Sequence, residues 1–511
     1  MTTPTILQTP SGETTAAALE EKGKLQTHFG RKDVFFFLIC TLVGLDTIGA
    51  VSKSGAQGFT WLAFLGVFFF IPYALLTAEL GSSFTEEGGP YVWARLAFGR
   101  PIAAVSALLY WVSNPIWLGG TLTISALTAI GAFFHPLKGF EYYLFALVFI
   151  WGTVLAAVLS FRIGKWIPII GAWARLIVLP FFTFTVILYA ARHGVHGFSS
   201  SDFKPTYAAF IALTPVILFN YVGFELPSAA GEEMKDPRRD IPFAVARSAI
   251  GALLLYGVPI LSILLVLPKS QVTGLSGFLD AIKVVFTVYG GAVGKGGAVT
   301  LSGWGQWLGE ITCIAFILAL ASSGATWIMG ADRTEAVAAF DGAGPRILGR
   351  FSRRFGTPVV VNLLSGAIST VVMALASWYS GGNVNKYFDA GLGLVISTTT
   401  ISYLAVFPAL AILRRTYPEV NRPYRVPGGS LGALICSVVV TAWCALSTVA
   451  LIWPGFGVGS FGTTGKPDDS LPSSFSHHRM DYELSQIIPL LFFVGLGILF
   501  YWMGRDTRRR L

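Results

Sequence analysis

The chain has 511 residues, 54% hydrophobic and only 12% charged, with a mean hydropathy of +0.65. Soluble domains carry about 25% charged residues, so the composition excludes an ordinary soluble protein and defines an integral membrane protein. The net charge of +9 does not read as a nucleic-acid interface, because Lys and Arg collect in short loops between apolar runs and no basic helix face is interleaved with aromatics.

Residues 1–33 are polar and contain no apolar core flanked by a cleavage site, so they read as a disordered cytoplasmic tail and not as a signal peptide. A helix needs about 20 apolar residues to cross a bilayer. Runs of that kind are predicted near 34–56, 60–80, 101–132, 142–160, 166–191, 207–231, 243–267, 304–331, 357–379, 388–413, 430–454 and 485–504. Ten-residue segments of alternating polarity, the mark of a membrane β-barrel, are missing. The expected fold is therefore all-α, with about 12 transmembrane helices. It divides into the tail, a ten-helix core over 34–413 (repeats about 34–191 and 207–413), and a part over 414–511 holding a cytoplasmic loop, helices 11 and 12 and a basic end.

The basic residues set the orientation. Arg31, Lys32, Arg162, Lys165, Lys235, Arg238, Arg239, Arg353, Arg354, Arg414, Arg415 and Arg508 to Arg510 fall in the tails and loops of one side, while Lys138, Lys204, Lys269 and Lys386 fall on the other. Arg and Lys in short loops stay inside, which places both termini in the cytoplasm and the chain in the cell membrane. The four cysteines (Cys40, Cys313, Cys436, Cys444) lie inside apolar runs without metal-like spacing, and no disulfide, metal or cofactor is expected.

Two spans are irregular. The first contains "VGLDTIGAVSKSGAQG" (43–58), in which Gly44 and Gly49 flank Asp46. The sixth contains "NYVGFELPSAAGEEMKDPRRDIP" (220–242), with Gly223, Glu225 and Pro227. Lipid tolerates a helix break only where protein or water satisfies the freed backbone. The breaks stand five spans apart, which predicts an inverted repeat of five plus five helices with a substrate site between the two breaks. The plain alternative for each is a packing kink, since Gly and Pro are common in membrane helices.

Four segments, in order, are similar to the amino acid–polyamine–organocation permeases: "AELGSSFTEEGGPYVWARLAFG" (78–99), "FNYVGFELPSAAGEEMKDPRRDIP" (219–242), "ADRTEAVAAFDGAGP" (331–345) and "NRPYRVPGG" (421–429). "FIPYALLTAEL" (70–80) resembles the glutamate/GABA exchanger branch. The resemblance implies the LeuT-like five-plus-five fold with helices 1 and 6 broken, and no particular substrate. The chain departs from the family in span 1. Family members usually carry a glycine–serine–glycine-like break there, and this sequence reads Thr47-Ile48-Gly49-Ala50-Val51.

The candidate substrate residues follow from the two breaks. Amides at a half-helix N-terminus suit an anion, which nominates Ile48, Gly49 and Ala50 beside Asp46 for a substrate carboxylate. The carbonyls from Phe219 to Gly223, with Tyr221 between them, suit an ammonium. The resemblance implies that Phe219 is the aromatic that closes over bound substrate. Trp111, Trp117 and Trp327 are further cavity candidates, against the ordinary role of membrane aromatics in packing. Asn114, next to Pro115 on span 3, can add a polar contact.

Glu225 falls where related exchangers carry a proton-responsive glutamate, and burial disfavours a carboxylate's anion. The alternative is a structural glutamate, always protonated. Arg175 lies in span 5, where the resemblance implies that a fixed cation replaces a sodium ion between spans 1, 5 and 8; it can also pair with Asp46. A snorkelling arginine is the alternative. Glu79, Glu86, Glu87, Glu232 and Glu233 sit at the inner ends of spans 2 and 6, near Lys235, Arg238 and Arg239, and read as gate or loop salt bridges.

The expected function is a secondary permease for amino acids, proton-coupled or exchanging, sodium-independent and working by alternating access. A carrier of polyamines or other amines on the same fold is the runner-up. A membrane enzyme is disfavoured, because no HExxH pair, GxSxG elbow or midplane histidine is present. A channel would show a repeated filter or charged ring. The partners expected are a small-molecule substrate and the bilayer, not nucleic acid, with monomer and homodimer both open.

Overall fold

The computed structural model describes residues 29–159, 166–195, 197–267, 272, 274–294, 297–460 and 465–509. Residues 1–28 of the expected tail, with His28, and the positions Arg162, Lys165, His196, Lys269 and Arg510 lie outside the described residues. Eleven described helices are long and apolar enough to cross a membrane. They are spans 2 to 12 of the sequence reading. Span 1 fails the length test because it is broken, into Arg31–Leu42 and Ile48–Ser52.

Span 6 is interrupted too. An α-helix over Tyr207–Tyr221 ends at an extended Val222, and a 3-10 helix follows over Leu226–Glu233. Gly223 takes φ +134 between them, a conformation that side-chain-bearing residues rarely adopt. The two breaks run in opposite senses. The residue before span 1, Phe29, forms a parallel bridge with Met234 at the end of span 6. Its amide donates to the Glu233 carbonyl at 3.1 Å, and its carbonyl accepts from Lys235 at 2.9 Å. The start of one broken span meets the end of the other, as an inverted repeat requires.

The other end of the chain reaches the same face. Arg508 donates to the Gly342 carbonyl just after span 8. Both described ends therefore lie together, on one face of the molecule, the terminal face. Spans 3 (Arg100–Phe133) and 10 (Val384–Thr416) are the most enclosed, 78% and 72% buried, whereas span 12 (Arg479–Arg508) is 17% buried and shows Leu491, Phe492 and Trp502 outward. The interior spans can hold polar chemistry. The periphery matches lipid.

Between spans 7 and 8 the chain adds two pieces that are too short to cross a membrane. A helix over Gly277–Phe286 buries its apolar side, and strands β1 (Gly291–Val293) and β2 (Val299–Leu301) form an antiparallel hairpin.

Candidate substrate site at the two helix breaks

A broken helix frees carbonyls at one end and amides at the other, and each needs a partner. In span 1 the partners come from spans 5, 7 and 8. The carbonyl of Cys40 accepts from Ser323 at 3.0 Å, that of Thr41 from the Trp327 indole at 3.2 Å, and that of Val43 from Arg175 Nε at 2.6 Å. The Gly44 amide donates to the Tyr256 hydroxyl at 2.7 Å. In span 6 one residue does most of this. The amides of Gly223 and Phe224 both donate to the Tyr73 hydroxyl, each at 2.8 Å. Tyr73 in turn donates to Glu225.

A cavity lies where the breaks meet. Gly44, Asp46 and Thr47 of span 1 line it with Trp117 of span 3, Phe219 and Asn220 of span 6, Tyr256 of span 7 and Trp327 of span 8. It is closed down to about 10 Å³, roughly the room one water needs. Trp117 stands edge-on to Phe219 (5.9 Å, 84°) and to Trp327 (6.2 Å, 82°). Asp46 Oδ2 accepts from Trp117 Nε1 at 2.9 Å and from Thr121 at 3.1 Å.

Away from the terminal face a vestibule of about 400 Å³ opens above this cavity. Ile211, Ala212, Pro215 and Val216 of span 6 line the vestibule, and Phe219 lines the cavity. These positions share one helix face, on which Phe219 follows one turn beyond Pro215. On the terminal face Arg333 of span 8 ties the end of span 6 to the loop after span 2. Its guanidinium bonds Glu87 at 3.1 Å and Glu233 at 3.0 Å, both fully enclosed. Glu79 is held by Arg414 at 2.5 Å, and Asp341 by Arg95 and Arg100 at 3.1 Å each.

Of the sequence candidates, Asp46, Phe219, Trp117 and Trp327 come together in the cavity. The others lie elsewhere. Tyr221 turns away and donates to the Leu62 carbonyl at 2.8 Å. Asn114 bonds the Tyr110 carbonyl of its own helix at 2.9 Å. Trp111 donates to Ser365, which donates to Asp332. Ala50 lines the vestibule, and Ile48 and Gly49 are buried beside it. Gly223 stands one layer behind, where a Cβ would meet Thr41 and Trp327.

Arg175 does reach spans 1, 5 and 8, but it does not pair with Asp46. A guanidinium has five N–H donors. They go to the carbonyls of Val43, Gly171 (2.6 Å) and Ala319 (2.8 Å) and to the hydroxyls of Ser322 (3.3 Å) and Ser323. Breaking span 1 supplies the Val43 carbonyl, which a continuous helix would have used itself. The expected Asp46–Arg175 ion pair is therefore replaced by a neutral cage around the arginine.

Glu225 is caged differently. Tyr73 donates to Oε2, and Tyr110 (3.0 Å) and Tyr403 (2.7 Å) donate to Oε1. Spans 2, 3 and 10 thus converge on one carboxyl of span 6. The sequence reading missed these tyrosines, together with Asn220, Tyr256, Arg333 and Arg414. Arg333 stands in the quoted segment 331–345, and its position at the terminal end of a long apolar run was the available signal.

The family model described as amino acid permease matches residues 29–464, and the chain belongs to that family. It is 26% identical over 434 residues to an uncharacterized transporter of Legionella pneumophila, covering 83% of this chain and 89% of that protein. Two relatives come from Lactococcus lactis. A probable agmatine/putrescine antiporter is 25% identical over 76% of this chain and 80% of its own length. A glutamate/gamma-aminobutyrate antiporter is 22% identical over 72% and 73%. Among solved structures, a manganese transporter of Eremococcus coleocola matches in fold with a TM-score of 0.53 at 14% identity, covering 98% of this chain and 97% of that one. The chain is a multi-pass membrane transporter of the permease or antiporter kind, and not an enzyme.

Proposed function

We propose that the protein is a sodium-independent secondary transporter of the cell membrane that moves amino acids or related amines by alternating access, in proton-linked or exchange mode. The observation that carries this reading is a narrow cavity at two helix breaks, with the buried Arg333 ion pairs toward the terminal face and, on the helix face that carries Phe219, a vestibule toward the other. A site that faces one side at a time is the requirement for alternating access. The terminal face is taken as cytoplasmic, on the distribution of Arg and Lys. Exchange is supported by two relatives whose names describe antiporters.

Arg175 supports sodium independence. It occupies the junction of spans 1, 5 and 8 with a fixed positive charge and consumes the carbonyl and hydroxyl oxygens that a sodium ion would need. Glu225 is the coupling group in this reading, because gaining or losing a proton changes how it binds three tyrosines on three other spans. The test is uptake into proteoliposomes with sodium replaced by choline at fixed pH and voltage. Uptake should be unchanged; a steep dependence on sodium contradicts the assignment of Arg175.

A further inference from the structure

Asp46 enters the cavity with half of its carboxyl unused. Oδ2 has two donors, but Oδ1 meets none among the described residues, and the side chain is only 2% exposed. Beside it Asn220, also 2% exposed, has neither amide atom paired among the described residues. Buried polar atoms find partners in roughly nine cases of ten or more. Two unpaired groups on one cavity therefore point to a partner that arrives from outside the chain.

The charge of that partner follows from what surrounds Asp46. No direct ion pair involves it among the described residues: the Arg175 charge is near enough to act on Asp46, but its donors all go to spans 1, 5 and 8 and none reaches the carboxyl. A carboxylate away from water is costly without a counter-charge. The walls also carry the aromatic rings of Trp117, Phe219 and Trp327, groups whose π faces attract a cation. A substrate carboxylate is disfavoured here on two counts. Asp46 repels it, and the Gly44 amide that could receive it already donates to Tyr256.

We propose that the cavity binds an organic cation lacking a carboxylate, a primary amine or a guanidinium, with its head on Asp46 Oδ1, Asn220 as a second polar contact and the aromatic rings around the stem. This rests on the permease reading and narrows its substrate class. Gly44 belongs to the same cradle. A Cβ there would stand 3.1 Å from Asp46 Oδ1, so glycine keeps open the approach to the unpaired oxygen.

The experiment uses the full chain, purified and reconstituted, with four labelled probes: putrescine and agmatine as cations without a carboxylate, arginine as a cation with one, and glutamate. Putrescine or agmatine should be taken up and should raise the melting temperature of the purified protein, and arginine and glutamate at equal concentration should do neither. Asp46→Asn should lower amine uptake about 10- to 100-fold, the range of a lost hydrogen bond to a charged group. Gly44→Ala should raise the KM for the amine with less effect on kcat. Preference for arginine or glutamate over the amines overturns this proposal and leaves the permease reading standing. Amine uptake by Asp46→Asn within twofold of wild type overturns it as well. If none of the four probes is transported or shifts the melting temperature, this proposal fails. Should Asp46→Asn not fold, the selectivity of the wild type among the four probes decides alone.

Discussion

Asp46 and Glu225 are both fully enclosed carboxyl groups set at a helix break, yet their surroundings differ in kind. Asp46 has two donors, Trp117 and Thr121, both on span 3 and both on one oxygen; its second oxygen has none among the described residues, and the residue lines the cavity. Glu225 has three donors from spans 2, 3 and 10, covering both oxygens, and does not line the cavity. Depth in the membrane alone would make each a functional residue. Hydrogen-bond saturation separates them. A saturated carboxyl ties helices together, and an unsaturated one waits for a ligand.

That contrast can be broken first at Glu225. Glu225→Ala removes the acceptor that three buried tyrosine hydroxyls share among the described residues, and each orphaned group costs about 1–3 kcal/mol. The variant should be far less thermostable than Glu225→Gln, which keeps an acceptor oxygen. Melting curves of the purified variants check this, and equal losses would mean that the tyrosines find other partners. A smaller effect separates the tyrosines themselves. Tyr73→Phe should cost more than Tyr110→Phe, because Tyr73 also receives the amides of Gly223 and Phe224 whereas Tyr110 makes a single bond to Glu225. For Tyr110→Phe the expected loss is about 1 kcal/mol. Denaturation midpoints of the two variants, side by side, give the order.

The breaks were legible because glycine and carboxylates interrupt otherwise apolar runs, a local signal. Asp46, Phe219 and Arg175 were legible for the same reason: each is a residue whose cost or bulk is unusual where it stands. The tyrosine cage was not. Tyr73, Tyr110 and Tyr403 look like ordinary membrane aromatics in their own segments, and only the packing of spans 2, 3 and 10 brings their hydroxyls to one carboxyl. Asn114 shows the opposite failure. A polar residue within an apolar helix drew notice, but its amide turns back on the Tyr110 carbonyl of the preceding turn. The Asp46–Arg175 pair was inferred from opposite charges on adjacent spans. Sequence could not show that the broken backbone of span 1 offers the arginine a carbonyl at closer range.

The division of labour between the two carboxyls is tested most directly by substrate uptake against pH in wild type, Asp46→Asn and Glu225→Gln, with surface expression matched. An amide cannot gain or lose a proton in this range, so Glu225→Gln should still transport, with its pH dependence flattened. Asp46→Asn should show uptake lowered about 10- to 100-fold at every pH, because the lost contact is to the substrate itself. A Glu225→Gln profile that keeps the wild-type pH dependence, or an Asp46→Asn variant that transports normally, would contradict the account.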